Sequence, residues 1–129
     1  MNKILVEVSV GELLDKISIL EIKKEKIKNK DSVKFIEKEY LILKEQLDKN
    51  IKYDEKLIEL FKSLKKINKT LWEIEDEKRF CEKNSNFGDK FIQVSREIHF
   101  LNDDRSKIKL EINKHTGSQI REIKQYTSY

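Results

Sequence analysis

Ten side chains that could take part in binding or catalysis lie on or beside the sides of the predicted helices that should be buried. Counting about 100° per residue around each predicted helix, Glu21 falls between the directions of Leu14 and Ile17, and Arg105 interrupts an apolar stripe. Burying a charge without a partner costs several kcal/mol, so we expect such side chains to pair with one another or to line a cavity. We call the following set the predicted polar seam: Glu21, Lys24, Asn68, Trp72, Glu75, Lys78, Arg79, Asn102, Arg105 and Lys109.

The polar seam has two interpretations. It is a salt-bridge network that fixes the register of the helices, or it is a pocket for a small anion such as a carboxylate or a phosphate. Arginine and lysine supply the donors that such a ligand needs. In the pocket interpretation, Glu21 or Glu75 would serve as the acid or base.

Other chemistry has little support in the sequence. His99 and His115 are too far apart to share one helical turn, and Cys81 is the only cysteine, so we expect no metal site. A glycine-rich phosphate loop and a nucleophile–base arrangement are both missing, and we expect no cofactor. The 28 basic residues are interspersed with 24 acidic ones, which argues against nucleic acid as a partner.

The composition is that of a helical bundle. Charged residues make up 40% of the chain, hydrophobic residues make up 37%, and there are three glycines and no proline. Apolar residues recur at steps of three and four, the coiled-coil-like spacing of a single buried stripe on a helix. The sequence therefore predicts an all-α fold in one domain, residues 1–129, with about four long helices in an antiparallel bundle.

Local signals place the helix ends. Ser9 and Glu12 form a capping box before a first helix over about 10–29, and Asp31 can cap a second helix that ends near Asn50. Asp54 precedes a third helix to about residue 83. The turn formers of 84–88 then separate it from a fourth helix that ends before Gly117. Residues 3–8 are compatible with a short strand or an extended arm, and residues 118–129 with a short helix or an arm.

Some apolar residues lie away from the main stripes. They form second apolar faces on the first, second and fourth helices, which favours a homo-oligomer and most simply a homodimer. These residues are Ile19, Ile22, Phe35, Ile42, Phe100 and Leu110.

The expected location is the cytoplasm. Cys81 cannot form an internal disulfide, which fits a reducing compartment. The N-terminal residues 1–10 lack the long apolar run of a signal peptide or a membrane span, so we expect a soluble protein with no membrane association.

Three segments carry a resemblance to a known family. Residues 8–27 (VSVGELLDKISILEIKKEKI), 68–79 (NKTLWEIEDEKR) and 100–118, which begin with FLNDDRSKIKLEIN, resemble a family of small bacterial and phage proteins. That family is all-helical and is catalogued as a domain of unknown function. The resemblance spans most of the chain and implies no activity.

The leading functional hypothesis is therefore a helical bundle that acts by self-association and partner binding. Its basis is the regular stripes together with the second apolar faces. The alternative is a small enzyme or sensor that binds an anionic metabolite in a polar pocket inside the bundle.

Overall fold

The computed structural model describes residues 2–129 and contains four α-helices. They are α1 (Val10–Lys26), α2 (Lys30–Asn50), α3 (Glu55–Lys83) and α4 (Asp89–Thr116). The described residues contain no β-strand, and the predicted all-α bundle of four long helices is confirmed. Residues 2–8 are exposed and residues 118–129 are without helix, so both ends of the described chain are arms.

Polar side chains and one glycine define the helix ends. Ser9, Asn29 and Asp54 each accept a hydrogen bond from the backbone N–H three residues later, which satisfies a donor that the first turn of a helix leaves free. Gly117 closes α4 in the left-handed conformation with φ of 68°. The predicted caps at Ser9 and Asp54 are confirmed, whereas Asn29 rather than Asp31 caps α2. Because Asn29 must leave the helical conformation to act as a cap, α1 ends earlier than predicted.

Helix α1 is the central helix of the bundle. It packs against α2, α3 and α4, while α3 packs along α4 and α2 packs against α1 alone. At 29 residues, α3 is about 43 Å long, against about 25 Å for the 17 residues of α1. An ion pair of 3.7 Å between Lys26 and Glu73 marks the level where α1 ends. Beyond that level, α3 and α4 continue as a two-helix projection.

The apolar core lies around the first half of α1. Its central residues are each at most 2% exposed, and they are Leu14, Ile17, Leu47, Leu57, Leu64 and Ile112. Ile22 is also 1% exposed, so the prediction that it belongs to a partner surface is wrong. Since α1 has neighbours on three sides, an apolar residue off its main stripe is buried within the same chain. Phe35 and Ile42 on α2 are exposed.

None of the helices within residues 2–129 has the combination of length and apolar character that crossing a membrane requires.

Gly11 allows the first turn of α1 to contact the end of α4. A Cβ atom at this position would lie 2.6 Å from the carbonyl oxygen of Lys109 and 2.9 Å from Oδ1 of Asn113. The Gly11 N–H donates a hydrogen bond of 2.7 Å to that same Asn113 oxygen. The lack of a side chain at Gly11 thus allows the two backbones to approach each other this closely.

We expect Gly11→Ala to lower the free energy of unfolding by about 1–3 kcal/mol, because its Cβ would force the two backbones apart. Gly88→Ala is the matched control, since the nearest atom to its added Cβ is 3.5 Å away, and its cost should stay below about 1 kcal/mol. Urea unfolding measures both values. Equal losses in the two variants would contradict the close approach.

Candidate functional site

The carboxylate of Asp15 is the centre of a buried polar cluster. Asp15 lies on α1 and is 1% exposed. It accepts hydrogen bonds from Nε of Arg105 at 3.0 Å, from Nη2 of Arg105, and from Nδ2 of Asn68 at 2.8 Å. One side chain of α1 is therefore bound at the same time to α3 and to α4.

Two further side chains complete what we call the Asp15 cluster, which comprises Asp15, Ser18, Asn68, Arg105 and Lys109. Asn68 Nδ2 also donates to Ser18 Oγ at 2.7 Å, and that hydroxyl donates to the backbone oxygen of Asp15 at 2.8 Å. Lys109 Nζ lies 3.6 Å from Asp15 Oδ2 and 2.7 Å from Glu12 Oε2. Every member of the cluster has a hydrogen-bond or ion-pair partner within the described chain.

These contacts keep the cluster ionised. Burial alone would raise the pKa of Asp15, but the hydrogen bonds from Arg105 and Asn68 and the positive charges of Arg105 and Lys109 lower it below 3.8. The hydrogen bond to Asp15 raises the pKa of Arg105 despite its partial burial. Burial lowers the pKa of Lys109, and its contacts with Glu12 and Asp15 more than reverse this. The positive and negative charges of the cluster thus stabilise each other.

Two clefts flank the Asp15 cluster. One has a volume of about 460 Å³, lies between α4 and residues 118–129, and is lined by Lys109 and Asn113. The other has a volume of about 290 Å³, lies between α1, α2 and α3, and is lined by Glu21. Neither cleft is lined by Asp15 or Arg105. Because those two groups already bond each other, the cluster resembles a structural joint more than an open binding site.

The structure brings four residues of the predicted polar seam to this joint. Asn68, Arg105 and Lys109 surround Asp15 as described, and Oδ1 of Asn102 accepts a long hydrogen bond of 3.5 Å from Nη1 of Arg105. The acid that α1 contributes is Asp15, whereas the sequence pattern had indicated Glu21.

Glu21 and Lys24 lie about two turns further along α1 than Asp15, at six and nine residues from it. Glu21 accepts a hydrogen bond of 2.9 Å from Lys65 Nζ and one of 3.5 Å from the Tyr40 hydroxyl. Lys24 is exposed, and its Nζ lies 4.3 Å from the centre of the Tyr40 ring. Glu21 therefore contacts both α2 and α3, whereas Lys24 lies beside α2.

The remaining seam residues lie towards the two-helix projection. Glu75 and Arg79 are exposed and Trp72 is half-buried, and the Lys78 Nζ lies 5.8 Å from the centre of the Phe91 ring. At this level α3 faces the start of α4, which is about 22 Å along the helix from Arg105. Arg79 and Arg105 therefore do not converge on one cavity.

Comparison with known proteins places the chain in a family. The sequence model of a protein family described as a family of unknown function (DUF6165) matches residues 4–129. The chain belongs to this family. No curated protein and no solved structure matches the chain. The match confirms that the chain is a domain of unknown function, and the family assigns no activity to the Asp15 cluster.

The helical-wheel prediction did not include Asp15, although its spacing from a buried residue indicates that it points inward. Asp15 precedes the buried Ile22 by seven residues, so the two side chains point in directions only about 20° apart. Ser18 lies on the same side of α1. The sequence prediction places this side of α1 on a partner surface, and for that reason Asp15 is not among the residues predicted to point inward.

Metal ligation has no support in the described part of the chain. Within residues 2–129, no three or more histidine, cysteine, aspartate or glutamate side chains are grouped so that they could hold a metal ion. The chemistry that the geometry offers is ion pairing and hydrogen bonding between helices.

We expect Asp15→Ala to lower the free energy of unfolding by about 2–4 kcal/mol, because it leaves the half-buried Arg105 without its ion-pair partner and removes one of the two acceptors of Asn68. Glu45→Ala is the control. It removes the same type of contact from an exposed ion pair, Glu45 with Lys49 at 2.9 Å, and should cost less than about 1 kcal/mol. Chemical denaturation measures both. A loss for Asp15→Ala no larger than that for Glu45→Ala would show that the cluster does not stabilise the packing of the helices.

The pKa of Asp15 gives a pH-dependent prediction. Since folding lowers this pKa below 3.8, the stabilisation by ionised Asp15 is full above the unfolded-state pKa of about 3.9 and is lost as the pH falls towards the folded-state value. The difference in unfolding free energy between the native protein and Asp15→Asn should therefore shrink below about pH 4. Urea unfolding from neutral to acidic pH tests this. A difference that stays constant over the range would contradict it.

Proposed function

We propose that this protein acts by self-association and partner binding, and that it forms a homodimer through α2. The observation that carries the proposal is the exposed apolar stripe of α2. The chain exposes 9778 Å², whereas a compact monomer of 15.5 kDa exposes about 7,200 Å². The exposed arms, residues 2–8 and 118–129, contribute to this excess, so the assignment of the interface to α2 rests on its stripe and not on the total area.

Helix α2 is the helix with the fewest packing neighbours. Only Ile36 and Leu47 of its 21 residues are buried, and it packs against α1 alone. Phe35 and Ile42 are 75% and 53% exposed. A helix in a four-helix bundle normally packs against two neighbours, and a second copy of the chain would supply the neighbour that α2 lacks.

The exposed residues of α2 suit a two-fold contact. Phe35 and Ile42 are seven residues apart and therefore lie on one stripe. In an antiparallel pairing of two α2 helices, Phe35 of one copy lies beside Ile42 of the other. The same pairing brings the exposed Lys38 of one copy towards the exposed Glu39 of the other. Such a face is complementary to itself, as two-fold symmetry requires.

The two-helix projection is the surface we assign to other proteins. Phe80, Phe87 and Ile92 are 66%, 53% and 53% exposed near its end. Exposed large apolar residues of this kind are typical of protein–protein interfaces. The alternative of an anion pocket in the polar seam has less support, because Arg105 is already paired with Asp15.

We expect the native protein to be a dimer in sedimentation velocity experiments at micromolar concentration. The double variant Phe35→Ser with Ile42→Ser should raise the dissociation constant at least about tenfold, a loss of about 1.4 kcal/mol in association. The matched control is Phe80→Ser with Ile92→Ser, which makes similar changes on the projection and should leave the dimer intact. Circular dichroism checks that both variants are folded.

Two results would contradict this proposal. One is a native protein that sediments as a monomer at every concentration. The other is a dimer that the variant on the projection dissociates and the α2 variant does not.

A further inference from the structure

The flank of α2 that faces α3 borders a cleft. Because α2 packs only against α1, a space of about 290 Å³ stays open above α1 between α2 and α3. Its lining is mostly apolar and includes core residues of all three helices. The apolar lining residues are Leu14, Ile17, Leu47, Leu57, Ile58 and Phe61.

The rim of this cleft is positively charged. Lys44, Lys62 and Lys65 line it together with one acid, Glu21. Lys65 is paired with Glu21 at 2.9 Å and with Glu25 at 3.4 Å. Lys44 is paired with Asp48 at 3.3 Å and donates a hydrogen bond of 2.7 Å to the hydroxyl of Tyr53, which also lines the cleft. Lys62 makes no ion pair within the described chain. The rim therefore has one unpaired positive charge, that of Lys62, beside an apolar floor.

We propose that this cleft binds a small amphipathic carboxylate. Its apolar part would lie on Ile58 and Phe61, which are the more accessible of the apolar lining residues, and its carboxylate would lie beside Lys62. A volume of 290 Å³ holds roughly ten non-hydrogen atoms at about 30 Å³ each, which is the size of an eight-carbon fatty acid. A floor without polar groups excludes sugar phosphates and nucleotides, which would bury their hydroxyl and amide groups unpaired.

The proposal is independent of the dimer. Lys44 follows Phe35 by nine residues, so these two side chains point in directions about 180° apart on α2. A dimer through the Phe35 stripe leaves the cleft open, and a monomeric chain would have the same cleft. Failure of one proposal does not entail failure of the other.

The test is a calorimetric titration of the native protein with octanoate. Octanoate has both the apolar chain and the charge, butyrate has the charge with a short chain, and octyltrimethylammonium has the chain with the opposite charge. We expect saturable binding of octanoate in one-to-one ratio with each chain, and at least tenfold weaker binding of the other two probes.

Charge variants on the rim give effects of opposite sign. Lys62→Gln should weaken octanoate binding about three- to fivefold, because it removes the unpaired positive charge. Glu21→Gln should strengthen it by a similar factor, because it removes the one acid that lines the cleft. Lys114→Gln and Glu111→Gln make the same changes in charge at exposed positions of α4, which does not line the cleft. Neither of these should alter the affinity.

Three outcomes would overturn the proposal. The first is no saturable binding of octanoate by the native protein. The second is equal binding of octanoate and octyltrimethylammonium, which would indicate apolar association without recognition of the carboxylate. The third is a set of rim variants whose affinities match those of the α4 controls, which would place the ligand elsewhere on the protein.

Discussion

The structure depends on the burial of one carboxylate, that of Asp15. Asp15 lies on a face of α1 that the other helices cover, and it is 1% exposed, so its carboxylate must find donors within the protein. Asp15 takes them from Asn68 on α3 and Arg105 on α4. Sliding α1 by one turn along the α3–α4 pair would leave the carboxylate and the guanidinium unpaired. Apolar contacts alone would tolerate such a slip more easily.

The same arrangement explains why the surfaces proposed for the homodimer and for ligand binding both involve α2. The contacts that the Asp15 cluster makes between helices join α1 to α3 and α4. Helix α2 is held to the bundle by the buried Ile36 and Leu47 and by the half-buried Tyr40 and Leu43. One flank of α2 is left as an exposed apolar stripe, and the other borders the lysine-rimmed cleft. The surfaces proposed for self-association and for ligand binding are therefore two consequences of a helix with one neighbour.

The sequence was informative about local structure and less so about the site. The caps at Ser9 and Asp54 and the stripes of α3 and α4 follow from residue types and spacing. The break in the α4 stripe also pointed to Arg105. Its partner Asp15 was missed because a helical wheel shows the direction of a side chain and not how many neighbours surround the helix. For the same reason Ile22 was placed on a surface when it lies in the core.

A double-mutant cycle on Asp15 and Arg105 tests the central claim most directly. The free energies of unfolding of the native protein, Asp15→Ala, Arg105→Ala and the double variant give the coupling between the two side chains. We expect a coupling of about 2 kcal/mol or more, because Arg105→Ala removes two of the hydrogen bonds to a buried carboxylate and Asp15→Ala removes the ion-pair partner of a half-buried guanidinium. Losses that add to within about 0.5 kcal/mol would show that the two residues act independently, and would contradict the role of this contact in fixing the bundle.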